Sequence, residues 1–510
     1  MAPIDDIRDD RMKKLNALKA QGINPYPAVS WKKQEIAEVL AHFDAWEKEK
    51  KEVSIAGRLL SKREHGAIIF CDIYGNGSKI QLLLKSDVLG EKAFALFSEC
   101  FDIGDFIDVE GSLFITKRGE KTAEVHKIQM LAKSLAPLPE KWHGLQDEEE
   151  KLRKRYLDIL FSEDVRRTVE RRAKFWGAVR SFMLGKGFLE VETPILENTT
   201  GGADARPFIT HHNALDIEVF LRISVGELWQ KRLMVAGFEK VFEIGRVFRN
   251  EGMSAEHLQD YTAMEFYWAY ADYNDGMKLA KELFRFVAQE AFGTQQFTIG
   301  SFSVDLAKEW EVYDYRDTIK QKTGVDVLDT NIKAIEQKLK ELGVEYDKKG
   351  FNITRGIDNL WKYCRKQIAG PGFLVNVPVV MEPLAKRDSK NREMAQRFQV
   401  LIAGSELGKG YSELNDPIDQ AERLSDQQKL REAGDEEAQM YDKDFVEALE
   451  YGMPPTCGFG LSERVFAFFS NKPARECQIF PLLRPKEIPM KKIATKKAVK
   501  TVKKTTKKKK

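Results

Sequence analysis

Residues 241–267, VFEIGRVFRNEGMSAEHLQDYTAMEFY, leave the chain few choices of fold. An apolar-rich run, a charged loop and a second apolar-rich run predict two strands that return on each other. Strand side chains alternate faces, so Val241, Glu243, Val247 and Arg249 fall on one side and Phe242, Ile244, Arg246 and Phe248 on the other. In the returning strand, Met264, Phe266, Trp268 and Tyr270 make a continuous apolar face. Glu265 and Tyr267 are thereby sent to the opposite face, beside Ala263 and Ala269. A carboxylate and a phenol on a surface of small residues suit the wet side of an antiparallel sheet and the floor of a polar pocket equally well.

The rest of the chain supplies the setting. At 510 residues it exceeds one ordinary domain. Residues 1–50 read as a helical lead-in, RMKKLNALKAQG and WKKQEIAEVLAHFDAWEKEK around a proline-containing break. From 51 to 135 short β-rich runs alternate with Gly-containing turns, about five strands on the scale of an OB-fold barrel. Residues 136–162 form a charged linker, and 163–485 mix helices and strands, with a charged helical insert at about 313–371. No apolar run approaches the roughly 18–20 residues of a membrane span, and the acidic N-terminus carries no secretory signal. Five cysteines without metal-type spacing suit reduced thiols, so a cytoplasmic location is expected. The net charge of +3 conceals an asymmetry, because residues 486–510 hold twelve lysines and a single glutamate. The body is therefore net acidic, and the low-complexity tail is expected to be disordered and to attract RNA non-specifically.

Three further stretches carry candidate chemistry. Gly201 and Gly202 allow a close backbone approach, and Glu227 stands at a helix start, where the dipole favours a carboxylate. Glu406 and Glu413 lie seven apart, which on a regular strand means opposite faces. Gly408 and Gly410 between them allow a bulge that would bring both to one side, as hard oxygen ligands of the kind Mg²⁺ accepts beside phosphate. MPPTCGFGLSERVFAFF is a Gly-rich strand running into a helix, with Arg464 in its first turns.

FRNEG, a loop, and then MEFYWAYADY together resemble motif 2 of the class II aminoacyl-tRNA synthetases, and among them most closely the enzymes for lysine. The helix and strand ending at Pro194 resemble motif 1, and GFGLSER resembles motif 3; the resemblance spans about residues 50–485. It implies an α+β fold: an N-terminal OB-fold barrel that binds the anticodon, and a catalytic domain built on an antiparallel sheet flanked by helices, paired as a homodimer. It further implies activation of L-lysine with ATP and Mg²⁺, followed by transfer to tRNA(Lys).

Carried over residue by residue, the resemblance gives Arg249 the catalytic bridge between substrate carboxylate and α-phosphate. Glu251, His257, Tyr261 and Arg464 join it around ATP. Gly202 and Glu227 hold the α-amino group, while Glu265, Tyr267, Tyr411 and Glu413 form a negative slot for the side-chain ammonium. Glu406 and Glu413 hold Mg²⁺. In the barrel, Phe70 stacks on an anticodon base, Gln81 bonds to one, and Arg58 contacts phosphate or base.

The sequence departs from the family at four places. ISVGEL has one residue more than usual before Glu227, and GFGLSER is shortened. Lys409 stands in place of an asparagine near the substrate carboxylate, where it either pairs with that carboxylate or competes for Glu265 and Glu413. Glu256 replaces an arginine, so phosphate binding is expected to lean on Mg²⁺ and Arg464. Rival readings are a synthetase of this fold for aspartate or asparagine, a relative that ligates lysine to a protein, and a non-catalytic RNA-binding protein.

Overall fold

The computed structural model describes residues 4–139, 147–252, 254, 257–346, 348 and 351–486. Glu256 and the tail beyond Lys486 lie outside the described residues.

The first unit is a closed five-stranded barrel of β1 (Glu52–His65), β2 (Ile68–Gly75), β3 (Ser78–Lys85), β4 (Phe106–Ile115) and β5 (Lys121–Ala132), ordered β1-β2-β3-β5-β4. Alternation decides what fills it. In β2, Ile69, Cys71 and Ile73 point inward and are fully buried, while Phe70, Asp72 and Tyr74 face out and are half-buried. The helix Ile4–Ala20 is strapped to the barrel by its buried Arg11, whose guanidinium donates to Ser134 Oγ (2.7 Å) and to the carbonyls of Ile103 (2.9 Å) and Ala136 (3.0 Å).

The second unit is organised on an eight-stranded sheet. Its strands are β6 (Leu189–Glu190), β10 (Lys240–Phe248), β11 (Asp260–Ala269), β14 (Glu311–Asp314), β15 (Gly372–Pro378), β16 (Met394–Ile402), β17 (Ser405–Ser412) and β18 (Thr456–Ser462). Their order is β14-β15-β16-β17-β18-β11-β10-β6, antiparallel except for the outermost pair at each edge. The intervening β7 (Leu196–Glu197), β8 (Ile209–His212) and β9 (Ile217–Leu221) form a small separate sheet, and β12 (Gln296–Ile299) pairs with β13 (Phe302–Asp305).

The long helices Glu163–Gly185 and Tyr273–Phe292 pack on one face of the large sheet. Phe175, Val179, Leu283 and Phe284 meet Phe242, Met264, Phe266, Phe398 and Phe459 there. Phe398 and Phe459 stack face to face with centroids 5.5 Å apart. This face carries most of the apolar burial, which leaves the opposite face of the central strands for polar residues.

The strand pair of 241–267 is formed as expected, with Glu243 opposite Glu265 and Val241 opposite Tyr267. Tyr270 is a correction. The strand ends at Ala269, and Tyr270 turns out with φ +62 and is largely exposed instead of continuing the apolar face. The helices Tyr315–Thr323, Ile332–Glu341 and Ile353–Arg365 occupy the insert. Their core of Ile335, Leu339, Ile357 and Leu360 packs against Leu374, Val377 and Leu401 of β15 and β16.

Candidate active site

The polar face of β10, β11, β17 and β18 floors a cavity of about 390 Å³ lined by both halves of the predicted set. Gly202, Glu227, Glu265, Tyr267, Lys409, Tyr411 and Glu413 line it, together with Arg249, Glu251, His257, Tyr261, Glu406 and Arg464.

A bulge makes this convergence possible. Leu401 pairs with Glu406 and Val400 with Gly408, so Leu407 is the extra residue of β17. Beyond it the alternation restarts out of phase. Glu406 then shares a face with Lys409, Tyr411 and Glu413, while Leu407 joins the helix-covered core. The glycines flagged in the sequence do mark an irregular strand, although the extra residue is the leucine beside them.

At the inner end of the cavity three carboxylates converge. Glu265 accepts from the Val225 backbone N–H (2.7 Å) and from the Tyr267 hydroxyl (3.2 Å). Glu227 opens the helix Glu227–Val235 and accepts from the Tyr411 hydroxyl. Just before it, Gly226 of ISVGEL takes φ +67, and a Cβ there would collide with Thr193. Glu413, just past β17, is buried, and Gly458 makes room for it and for the Tyr267 ring.

The cation among them is one that the sequence reading missed. Lys231, one helical turn after Glu227, has a fully buried side chain. Its Nζ lies 2.8 Å from Glu227 Oε1 and 2.6 Å from Glu413 Oε2, with the rings of Tyr411 (5.5 Å), Phe445 (5.8 Å) and Tyr267 (6.0 Å) around it. Burial works against its charge, but Glu227 and Glu413 hold the ammonium above the usual lysine range. Three carboxylates still face one cation. Burial and the neighbouring Glu227 push Glu265 up to about 7, and burial with the same neighbour pushes Glu413 up to about 8. Burial and like charge thus favour the protonated form of these two carboxyls.

This arrangement bears on two expectations. Glu413 is buried in an ion pair with Lys231 through Oε2, and it lines the same cavity as Glu406. Lys409 does not compete for Glu265 or Glu413, because its ammonium lies 3.1 Å from Glu382 Oε2, and Glu382 is also paired with Arg397 (2.8 Å).

At the outer end Arg249, just past β10, donates through Nε to the Ile223 carbonyl (3.2 Å), and its guanidinium lies 5.8 Å from the Tyr261 ring centre. His257 Nδ1 and Ser254 Oγ are 2.8 Å apart. Arg464 is the first residue of the helix Arg464–Phe469 that follows β18. Two more polar groups reach this end without having been predicted. Asp204, in the loop after Gly202, lines the cavity, and Trp361 of the insert donates its indole N–H to Glu406 Oε1 (2.6 Å).

Mg²⁺ commonly binds through one or two carboxylates plus substrate phosphates. Glu406 fits that limited role, since Trp361 holds one of its oxygens and the side chain lines the cavity; Glu413 lines the same cavity, with Oε2 paired to Lys231 and no hydrogen-bond partner at Oε1 among the described residues. Among the described residues no group of three or more His, Cys, Asp and Glu side chains could hold a metal ion by itself.

The barrel candidates also share one surface. Phe70, Asp72 and Tyr74 face out from β2, with Arg58 opposite Tyr74 and Gln81 opposite Asp72. Phe70 is half-buried and lies outside the barrel core. Gln81 Oε1 accepts from Thr122 Oγ1 (3.0 Å), and Arg58 donates to the Gly104 carbonyl (3.0 Å) while lying 4.2 Å from the Phe106 ring centre.

Comparison with known proteins gives two family matches. Residues 147–484 match "tRNA synthetases class II (D, K and N)", and residues 53–138 match "OB-fold nucleic acid binding domain". The chain is 43% identical over 488 residues to the lysine–tRNA ligase of Thermosipho africanus, covering 94% of this chain and 97% of that protein. It is 44% identical over 482 residues to the lysine–tRNA ligase of a Thermoanaerobacter species, with 93% and 95% covered. It is 40% identical over 489 residues to that of a Roseiflexus species, with 95% and 100% covered.

Proposed function

The chain belongs to the class II tRNA synthetases of the aspartate, lysine and asparagine group, and from that premise we propose how its own residues carry out the reaction. The reaction is the ATP-dependent joining of lysine to its tRNA, the activity named for relatives that match nearly the whole chain. Readings of the chain as an aspartate or asparagine enzyme, or as a non-catalytic binder, are not favoured.

In the first step the lysine carboxylate attacks the α-phosphorus of ATP, and pyrophosphate leaves. The carboxylate is already a nucleophile, so the protein positions the reactants and stabilises charge. Arg249 bridges the carboxylate and the α-phosphate, where a planar bidentate cation is better matched than a lysine. Tyr261 stacks on the adenine, Glu251 accepts from its amino group, and His257 and Arg464 meet the outer phosphates. Lys409, held by Glu382, adds positive charge near the substrate carboxylate. Mg²⁺, when bound, offsets charge on the triphosphate, with Glu406 as its protein ligand.

The observation that carries the choice of lysine is the charge count at the inner end. Among the described residues, Glu227, Glu265 and Glu413 face a single built-in cation, Lys231. A substrate bearing two ammonium groups completes the balance, its α-amino group at Glu227 and Gly202 and its side-chain ammonium at Glu265 and Tyr267. A carboxylate or amide side chain would leave that balance open. ATP–pyrophosphate exchange with each amino acid tests this: exchange with lysine alone is expected, and exchange with aspartate but not lysine would sink it.

The second step transfers the lysyl group to the terminal ribose of the tRNA. Phe70, Gln81 and Arg58 form the anticodon platform, with Phe70 stacking on a base. The Lys-rich tail adds a salt-dependent attraction to RNA. A homodimer through motif 1 is supported by Leu184, Leu189, Ile195, Leu196 and Ile209, each about half exposed around that segment. Five buried and unpaired cysteines support work in a reducing cytoplasm.

A further inference from the structure

The insert does more than cover a sheet edge. On the helix Ile353–Arg365, Trp361 and Arg365 are four apart and so lie on one face. Trp361 is buried against Tyr315, ring centres 5.3 Å apart, and its indole N–H donates to Glu406 Oε1 at 2.6 Å. Arg365 donates to the Gly404 carbonyl, in the turn that joins β16 to β17. The chain leaving the helix grips the same turn, because Ala403 and Gly404 donate to the carbonyls of Ala369 (2.6 Å) and Ile368 (2.8 Å). Gly404 has φ +72, and a Cβ there would sit 3.1 Å from the Lys366 backbone, so the fit is close. Glu406 is two residues past that turn and one before the bulge at Leu407, the least regular stretch of β17. Nothing within the strand fixes its side chain.

We propose that the insert is a clamp on the β16–β17 turn, and that Trp361 is a positioning residue. It orients the Glu406 carboxylate so that one oxygen is held by the indole and the other faces the triphosphate of ATP. A carboxylate carried on three rotatable bonds searches many rotamers. A charge-assisted hydrogen bond from a rigid, buried ring selects one of them before the nucleotide arrives. The inference rests on the reading of Glu406 as facing ATP, and the experiment separates the two.

Trp361→Phe keeps the ring in the insert core and removes only the N–H donor. In lysine-dependent pyrophosphate exchange, its KM for ATP is expected to rise about tenfold, the scale of a hydrogen bond to a charged group. Its KM for lysine should stay within about twofold. Glu406→Gln should raise the ATP KM at least as far. A second readout is spectroscopic. ATP with Mg²⁺ should change the tryptophan emission of the full-length protein, and that change should be lost in Trp361→Phe. A folded Trp361→Phe variant with unchanged ATP KM overturns the clamp if Glu406→Gln raises it. If neither variant moves the ATP KM, the assignment of Glu406 fails first and the clamp falls with it. Equal losses toward ATP and lysine, with the emission change retained, would reduce the insert to a structural role and also overturn the proposal.

Discussion

Lys231→Met removes the only cation that the described residues place at the inner end of the site, while keeping a long unbranched side chain. Its Nζ lies 2.8 Å from one buried carboxylate and 2.6 Å from another, and its side chain has no exposure to water that could compensate. Removing one partner of such a pair leaves uncompensated buried charge, typically at a cost of about 3–5 kcal/mol. Some of this returns if Glu413 holds a proton, and burial already pushes its carboxyl up to about 8. The double variant Lys231→Met with Glu413→Gln removes both charges. It should therefore be more stable than Lys231→Met alone by at least about 2 kcal/mol, a non-additivity expected of groups in direct contact. Urea unfolding of the wild type, both single variants and the double variant completes the cycle. Glu227 and Glu265 remain in all four, so the comparison isolates the Lys231–Glu413 pair. A loss below about 1 kcal/mol for Lys231→Met, or a double variant no more stable than it, would refute the charge balance on which lysine selection is built.

Other expectations concern pH, catalysis and RNA. Glu265 and Glu413, pushed up to about 7 and about 8, hold an ammonium best when ionised. The lysine KM measured in pyrophosphate exchange should therefore fall from pH 6 to pH 8.5, while the ATP KM does not follow it. For the lysine-free protein the sign is opposite. Carboxyls whose folded values are raised cost no stability below their unfolded value near 4.5 and lose it as pH rises through 7 to 8, so urea midpoints should decline over that range. Arg249→Lys should lower exchange by about 100-fold or more, because an ammonium cannot make both contacts of the planar fork; an effect below tenfold would remove Arg249 from the reacting phosphate. Phe70→Ala should raise the KM for tRNA in aminoacylation by about tenfold, within the range for one stacked base. It should leave pyrophosphate exchange unchanged, and a loss in exchange would mean that the barrel had been damaged as a whole.

What could be read from residue order was whatever follows from local periodicity. Alternation in 241–269 placed Glu265 and Tyr267 on the polar face, and the glycines between Glu406 and Glu413 pointed to a strand irregularity. Lys231 escaped because a Glu–Lys pair at i and i+4 is common on solvated helices. Only the packing of β11 and β17 over that helix turns it into a buried cluster. Trp361 and Glu406 are 45 residues apart, and no pattern in either segment announces their hydrogen bond. Tyr270 failed for a local reason: the strand stops at Ala269, and the next residue adopts a left-handed conformation that apolar alternation does not forecast.

The extra residue in β17 makes length itself a determinant of this site. With Leu407 deleted and the pairing on either side kept, Glu406 and Glu413 would be six apart, an even spacing that leaves both on the polar face of a regular strand, and the loss would be the Leu407 side chain from the helix-packed core. Removing two residues would make the spacing odd and turn Glu406 toward Phe398 and Phe459 on that packed face. A two-residue deletion is thus the more damaging to the direction of Glu406. Homologous enzymes with an odd spacing between these two carboxylates should carry such a bulge, and those without one should have an even spacing.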